Sequence, residues 1–294
     1  YGLLGKYLDQ LKHRKFTAII VDEAHMVKNL DALRTKHLLA LVDAARLKPG
    51  ENAIRSRLAV TGTPILNRPE ELYPLLLFLG KTALSYQAFV NQYQDMEGEK
   101  VVGYRNLDQL NASLQSFMLR RMKKDVLKDL PSKTYRPIFT AITNASEYQE
   151  AEHDFLKWLG EHIGKAAVDK IEFSTRAQIL VKMNYLRQLA AKGKVAPVSD
   201  FMKPCLESGH KLIVFSNFLE VLQSLHKQKP NSVLYVGPTS KSDREALVKL
   251  FQKKPDACFF LGSFGAASVG ITLTAADRVV MVDLPWTPGS TVQA

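Results

Sequence analysis

Six short apolar runs decide what this chain can fold into: TAIIV (17–21), RLAVT (57–61), KLIVF (211–215), SVLYV (232–236), ACFFL (257–261) and RVVMV (278–282). They are rich in Val, Ile and Phe and do not alternate with polar residues, which is the pattern of strands covered on both faces, as in a parallel sheet. Helical stretches lie between several of them. In SDREALVKLF, Ser242 and Glu245 have capping-box spacing, and Ala246, Leu247, Leu250 and Phe251 form one apolar face. Strands alternating with helices predict βαβ units and an α/β sheet.

The runs fall into two groups, two before residue 62 and four after residue 210. About half the chain lies between them and reads mainly as helix. NLDQLNASLQSFMLRR places Leu107, Leu110, Leu114 and Phe117 on one face, and RAQILVKMNYLRQLAA is patterned similarly. The expectation is two α/β lobes with helical material between them. LPSKTYRP (130–137), with two prolines, reads as an extended crossing from one lobe to the other.

Composition narrows the class. Apolar residues make up 46% of 294, enough for a packed core. No apolar run reaches the roughly 18 residues a bilayer span requires; LYPLLLFLG is too short and contains Pro74. YGLLGKYLDQLKHRK has no basic region ahead of an apolar one, so a signal peptide is not expected. Cys205 and Cys258 are far apart and make no metal-ligand pattern, which predicts a reduced intracellular protein. Lys and Arg outnumber Asp and Glu by 40 to 29, a balance suited to a polyanionic partner such as nucleic acid or simply to a basic surface.

The chemistry concentrates where the first two runs end. In AIIVDEAHMVKN (18–29), the apolar residues stop at the adjacent acids Asp22 and Glu23. Ligands of an open parallel sheet sit beyond the carboxyl ends of its strands. An acid there can hold Mg²⁺, directly or through water, and the next can orient or deprotonate an attacking water. His25 follows within reach of the same edge. The alternative is an exposed acid pair that merely starts a loop. The second run ends in Thr61, Gly62 and Thr63 before Pro64. Gly62 permits a tight turn, and two hydroxyls can answer a neighbouring phosphate by changing hydrogen bonds.

With both stretches in hand, the chain resembles the Snf2 family of superfamily 2 DNA translocases. IIVDEAHMVKN is similar to the family's motif II, including Lys28 and Asn29, and LAVTGTPILNRPEELYPLLLFL to motif III and its continuation. FMLRRMKKDVLKDLPSKT resembles the linker between lobes, HKLIVFSNFLEVLQSL motif IV, and YVGPTSKSDREALVKLF the segment after it. FFLGSFGAASVGITLTAADRVVMVDLPWTPGSTVQA resembles motif V and the approach to motif VI, with its latter part most like the annealing-helicase-like branch. The blocks come in family order across the whole chain. The family's phosphate loop, G-x-x-x-x-G-K-[ST], is absent; GKT (80–82) and GEHIGK (160–165) fail its spacing or its residues, and both read as helix ends. YGLL resembles the family's segment shortly before motif II, and the final QA the approach to the motif VI arginines. The chain is therefore expected to be the middle of a longer motor.

The resemblance implies two RecA-like lobes that open and close around ATP: the C-terminal part of the first at 1–136, with a helical insertion over about 68–118; a helical linker at 137–205; and the second, short of its C-terminal motif, at 206–294. It implies ATP and Mg²⁺ as cofactors, double-stranded or branched DNA gripped mainly by its backbone, and residence in a bacterial cytoplasm or nucleoid or a eukaryotic nucleus. Asp22 would organise Mg²⁺, Glu23 would activate water, His25 would assist, and Thr61, Gly62 and Thr63 would pass the nucleotide state onward. Arg120 and Arg121, clustered with Lys123 and Lys124, are candidates for linking lobe position to nucleotide; otherwise they are a solvated helix face. Ser216, Asn217 and Ser263 are candidates for DNA phosphates, while Gly265 and Gly270 would let backbone approach DNA or nucleotide. Phe264 and Ala266 stand where the family commonly has a basic residue and a glycine, which puts those contacts in question. Phe215 is expected in the core and Trp286 as a packing anchor. A different class fits the same lobes without the engine: a non-hydrolysing DNA-binding or protein-interaction scaffold.

Overall fold

The computed structural model describes residues 1–14, 16–46, 56–65, 67–98, 100–129, 133–162, 173–267, 271–286 and 291. The chain separates into two compact units, Tyr1–Lys133 and Thr134–Ala294.

The first unit opens with α1 (Leu4–His13), β1 (Ala18–Val21), a 3₁₀ turn (Ala24–Val27), α2 (Leu33–Arg46) and β2 (Ser56–Ala59). A second 3₁₀ turn (Pro69–Leu72) leads into α3 (Tyr73–Leu79) and α4 (Tyr86–Tyr93). A hairpin of β3 (Gln94–Glu97) and β4 (Lys100–Tyr104), then α5 (Leu107–Gln115) and α6 (Lys123–Val126), complete it. β1 and β2 pair in parallel, Ala18 opposite Ser56 and Val21 opposite Ala59. Their inward residues Ile19, Val21 and Ala59 pack with Val27, Leu38, Val42, Leu75 and Phe78. A second cluster joins Leu72, Tyr73 and Leu76 to Phe89, Tyr93, Leu110 and Leu114, with Tyr73, Phe89 and Tyr93 meeting at ring-centroid distances of 4.8–5.3 Å.

The second unit holds α7 (Ala145–His162), α8 (Phe173–Gly193) and α9 (Val195–Glu207). Then β5 (Leu212–Ser216), α10 (Leu219–Gln228), β6 (Ser232–Tyr235), α11 (Lys241–Lys253), β7 (Phe259–Ser263), α12 (Phe264–Ala267) and β8 (Arg278–Met281) follow. The strands form one sheet in the order β6-β7-β5-β8, with every pairing parallel. Leu212 and Val214 face Val221, Leu222 and Leu225 of α10 on one side. Ile213 and Phe215 face Phe251 of α11 and Phe264 of α12 on the other. Helices on both faces require apolar residues at successive positions, and β5 is buried along its whole length.

All six expected strands are present in an α/β fold with parallel sheets, and several expectations are corrected. β1 and β2 are not covered on both faces: Ile20 is 67% and Leu58 53% exposed, because no described element packs on the outer face of this two-stranded sheet. β8, an edge strand, leaves Val279 exposed. The β3–β4 hairpin interrupts what reads as helix; it turns at Gly98, whose φ of 62° suits a residue without a Cβ. α11 is capped by Ser240, not Ser242: the Ser240 hydroxyl accepts the Asp243 N–H at 3.2 Å. In α5, Leu110 and Leu114 are buried, but Leu107 at the first turn is exposed. Among the described side chains of α8, burial is confined to the C-terminal end, as at Leu189 and Ala191, while Leu180 and Val181 stand in solvent. GKT (80–82) begins at the left-handed residue that ends α3, Gly80 with φ 68°, and GEHIGK extends beyond the described residues.

Candidate active site

Because β1 and β2 run parallel and end level, the segments beginning at Asp22 and Val60 leave the sheet at the same edge. The ladder continues one step past the strands, with the Val60 N–H donating to Val21 (2.8 Å) and the Ala24 N–H donating to Val60 (2.9 Å). Between those two bonds the chain must reverse, and Glu23 takes the left-handed conformation (φ 47°, ψ 50°). An L-residue other than Gly, Asn or Asp seldom sits there, and the strain is of order 1–3 kcal/mol. The turn aims the Glu23 carboxylate at His25, with Oε2 3.3 Å from Nδ1.

His25 joins the two segments. It is buried, and the same Nδ1 lies 3.1 Å from the Thr61 hydroxyl. The Thr61 contact is a hydrogen bond, and the Glu23 carboxylate lies beside the same nitrogen at ion-pair distance. The Thr61 oxygen also accepts the Thr63 N–H at 3.2 Å. A continuous polar path therefore runs Glu23–His25–Thr61–Thr63. At its end the Thr63 hydroxyl is buried with no hydrogen-bond partner among the described residues. Gly62 lies beside the path, but its expected turn freedom is unused: its φ is not positive, and a Cβ there would meet no atom within 4 Å.

Asp22 is exposed, and one of its oxygens accepts the Glu23 N–H at 2.9 Å. Its other oxygen, a hard, solvent-facing donor, suits Mg²⁺. The described residues contain no cluster of three or more His, Cys, Asp or Glu that could hold a metal. A metal at Asp22 would therefore take its remaining ligands from water and phosphate, which is the habit of Mg²⁺. ATP is a different matter, since no phosphate loop occurs in the sequence to cradle it.

Two contacts at this edge carry no motif signal of their own. Tyr1 donates its hydroxyl to the Asp22 carbonyl at 2.5 Å. Burial, reinforced by the Asp22 and Glu23 charges, pushes its pKa up to about 12. Lys28 reaches Glu71 at 2.9 Å, and the second oxygen of Glu71 accepts the Asn67 N–H at 3.0 Å. Opposite charges 43 positions apart give no local pattern; only the pairing of β1 with β2 brings them together.

The strand ends of the second unit are arranged differently. Ser216, expected to meet a DNA phosphate, is fully buried, and its hydroxyl donates to Asp283 at 2.5 Å. The expectation is corrected because a buried carboxylate claims that donor. Asp283 also accepts the Asn217 N–H at 3.2 Å and its side-chain amide at 2.5 Å. Asn217 is itself exposed and keeps a second amide hydrogen free to donate. Ser263 pairs opposite Ser216 and is half-buried. Gly265 is exposed with open space over its Cα, and Gly270 lies outside the described residues. Phe264 stacks on Phe215 at 5.3 Å, so its position serves the core. Trp286 is 54% exposed and holds the Arg187 guanidinium over its ring at 4.2 Å, which makes it half of a cation–π pair and not a buried anchor. Arg120 and Arg121 are exposed and follow α5 outside any helix.

The chain is similar in sequence to known proteins. Residues 1–194 match the SNF2-related domain, and residues 193–294 match the helicase conserved C-terminal domain. The human "DNA annealing helicase and endonuclease ZRANB3" is 31% identical over 312 aligned residues, covering 100% of this chain and 27% of that protein. The Xenopus laevis "SWI/SNF-related matrix-associated actin-dependent regulator of chromatin subfamily A-like protein 1" is 30% identical, covering 100% of this chain and 30% of that protein. The chain thus spans under a third of these relatives' length. Among solved structures, the "Sulfolobus solfataricus SWI2/SNF2 ATPase core in complex with dsDNA" aligns over 95% of this chain and 61% of that one, at 23% identity and a TM-score of 0.44. With its first 194 residues matched by the one domain and the remainder by the other, the chain belongs to the SNF2-related helicase-like ATPase family.

Proposed function

We propose that the intact protein is an ATP-driven translocase or remodeller of double-stranded DNA, with strand annealing or rewinding among its tasks. The observation that carries this reading is the Glu23–His25–Thr61–Thr63 path. It joins a carboxylate fit to polarise water to a hydroxyl-bearing loop fit to report the result. In this reading residues 1–136 are the latter part of one RecA-like lobe, 137–205 the helical linker and 206–294 the other lobe. Mg²⁺, when bound, neutralises charge developing on the transferred phosphoryl group. Asp22 orients the hydrated ion. Glu23 accepts a proton from the attacking water and is steered by His25. Thr61 and Thr63 exchange hydrogen-bond partners as the phosphate leaves. Arg120 and Arg121 couple that change to the rest of the motor.

DNA is held through its phosphates. The excess of 11 positive charges supports this, as do the free amide hydrogen of Asn217, the half-buried Ser263 and the open backbone at Gly265. Backbone contacts carry little sequence information, so affinity should fall steeply with salt and vary little with sequence. The test is ATP turnover by the intact protein with and without duplex DNA, alongside binding titrations at several salt concentrations. DNA-stimulated phosphate release with salt-sensitive binding is expected. Salt-sensitive binding without any turnover would replace the motor by a non-hydrolysing scaffold. The 294-residue chain alone, lacking a phosphate loop, should release no phosphate above background.

A further inference from the structure

The His25–Thr61 hydrogen bond is one tie between the turn that carries Glu23 and the loop after β2. A second lies a turn further along each segment. Lys28 closes the 3₁₀ turn that begins at Ala24. Glu71 lies on the 3₁₀ turn that launches α3. Their side chains meet at 2.9 Å and are mostly withdrawn from solvent, 28% and 12% exposed. Glu71 is bidentate: Oε1 takes the Lys28 ammonium and Oε2 takes the Asn67 backbone N–H at 3.0 Å. The carboxylate therefore fixes the turn after Glu23 and His25 to the loop after Thr61–Thr63 by a charge and a backbone bond together.

We infer that Lys28 and Glu71 are positioning residues that tie the 23–28 turn to the 3₁₀ turn at Pro69–Leu72, so that a displacement of the chain after β2 reaches Glu23. The inference rests on the proposed motor reading. Three features support it. The pair is largely withdrawn from solvent, so removing one charge leaves the other poorly hydrated. Its geometry is directional, unlike apolar packing, which can slide. And the loop it anchors contains the buried Thr63 hydroxyl, which has no partner among the described residues and is placed to gain a bond in another state. Without the pair, the ties left are the His25–Thr61 bond and the Ala24–Val60 backbone bond, both close to the strand ends.

The test uses the intact protein and three variants: Lys28→Met, Glu71→Gln and the double apolar replacement Lys28→Met/Glu71→Leu. Burying neither charge avoids leaving one uncompensated, so the double variant should unfold close to the unsubstituted protein even if the single variants do not. The reading is the ratio of DNA-stimulated to unstimulated kcat, with KM for ATP and the thermal midpoint followed in parallel. A roughly tenfold loss of the stimulation ratio is expected in all three, with KM changed less than about twofold and the double variant's midpoint restored. If the double variant recovers the ratio together with its midpoint, the pair is structural and the inference fails. If the ratio never changes, it also fails. If the unsubstituted protein shows no DNA stimulation at all, the motor reading falls first and takes this inference with it.

Discussion

The two parallel sheets end their strands in opposite ways. At the edge of β1 and β2, polar groups are left available. Asp22 faces solvent, Glu23 is held in a left-handed turn, and the Thr63 hydroxyl has no partner among the described residues. At the edge of β5 and β8, Asp283 gathers the Ser216 hydroxyl, the Asn217 backbone N–H and one hydrogen of its amide, leaving only the other amide hydrogen of Asn217 to project. The sheets differ the same way in their bodies. β5 is buried at every residue, whereas β1 shows Ile20 to solvent. Runs that look alike in sequence thus serve different ends. The second sheet is a braced platform, and the first is a surface from which reactive groups project. Polar residues at a strand end become a site only where no neighbour has already satisfied them.

Substitutions can break or sharpen this contrast. The largest effect on stability should come from the middle of the second sheet. Phe260 is fully buried between Tyr235 and Phe251. Phe260→Ala should cost about 3–5 kcal/mol by leaving a cavity, read as a lower denaturant midpoint. Asp283→Ala comes next. It strands the Ser216 hydroxyl and the Asn217 N–H, and about 2–3 kcal/mol should be lost in the same experiment. A loss under about 0.5 kcal/mol would show that this set of bonds is decorative. The smallest effect should come from Ile20→Thr, which replaces a residue 67% exposed on the open face of the first sheet. A change within about 0.5 kcal/mol is expected. A loss comparable to that of Phe260→Ala would mean that Ile20 is covered in the intact protein, and the contrast between the sheets would vanish.

Much of this was legible in the sequence because it rests on local pattern. The six strands announce themselves as apolar runs, and the α/β class follows from the helices between them. Asp22, Glu23, His25 and Thr61 could be named because motif spacing places them at strand ends, and the structure brings them together. What the sequence conceals is partnership across distance. Nothing near Ser216 indicates that a carboxylate 67 positions later takes its hydroxyl. Nothing near Lys28 points to Glu71. The apolar composition of β1 does not say which neighbours exist, so it cannot reveal that one face is open. The β3–β4 hairpin carries little sequence signal because QDMEGEKVVGY is short and polar, and its register shifts between Asp95 and Met96, which disrupts alternation.

The central claim is that the open edge of the first sheet is the working one, with Glu23 activating water. The direct measurement is DNA-stimulated kcat of the intact protein carrying Glu23→Gln, with its unfolding midpoint measured on the same sample. The amide keeps the size of the side chain and loses its basicity. Turnover should fall by at least about 10², the usual worth of a general base, while the midpoint stays put. Near-normal turnover would contradict the account, reducing Asp22 and Glu23 to an exposed acid pair at the start of a loop.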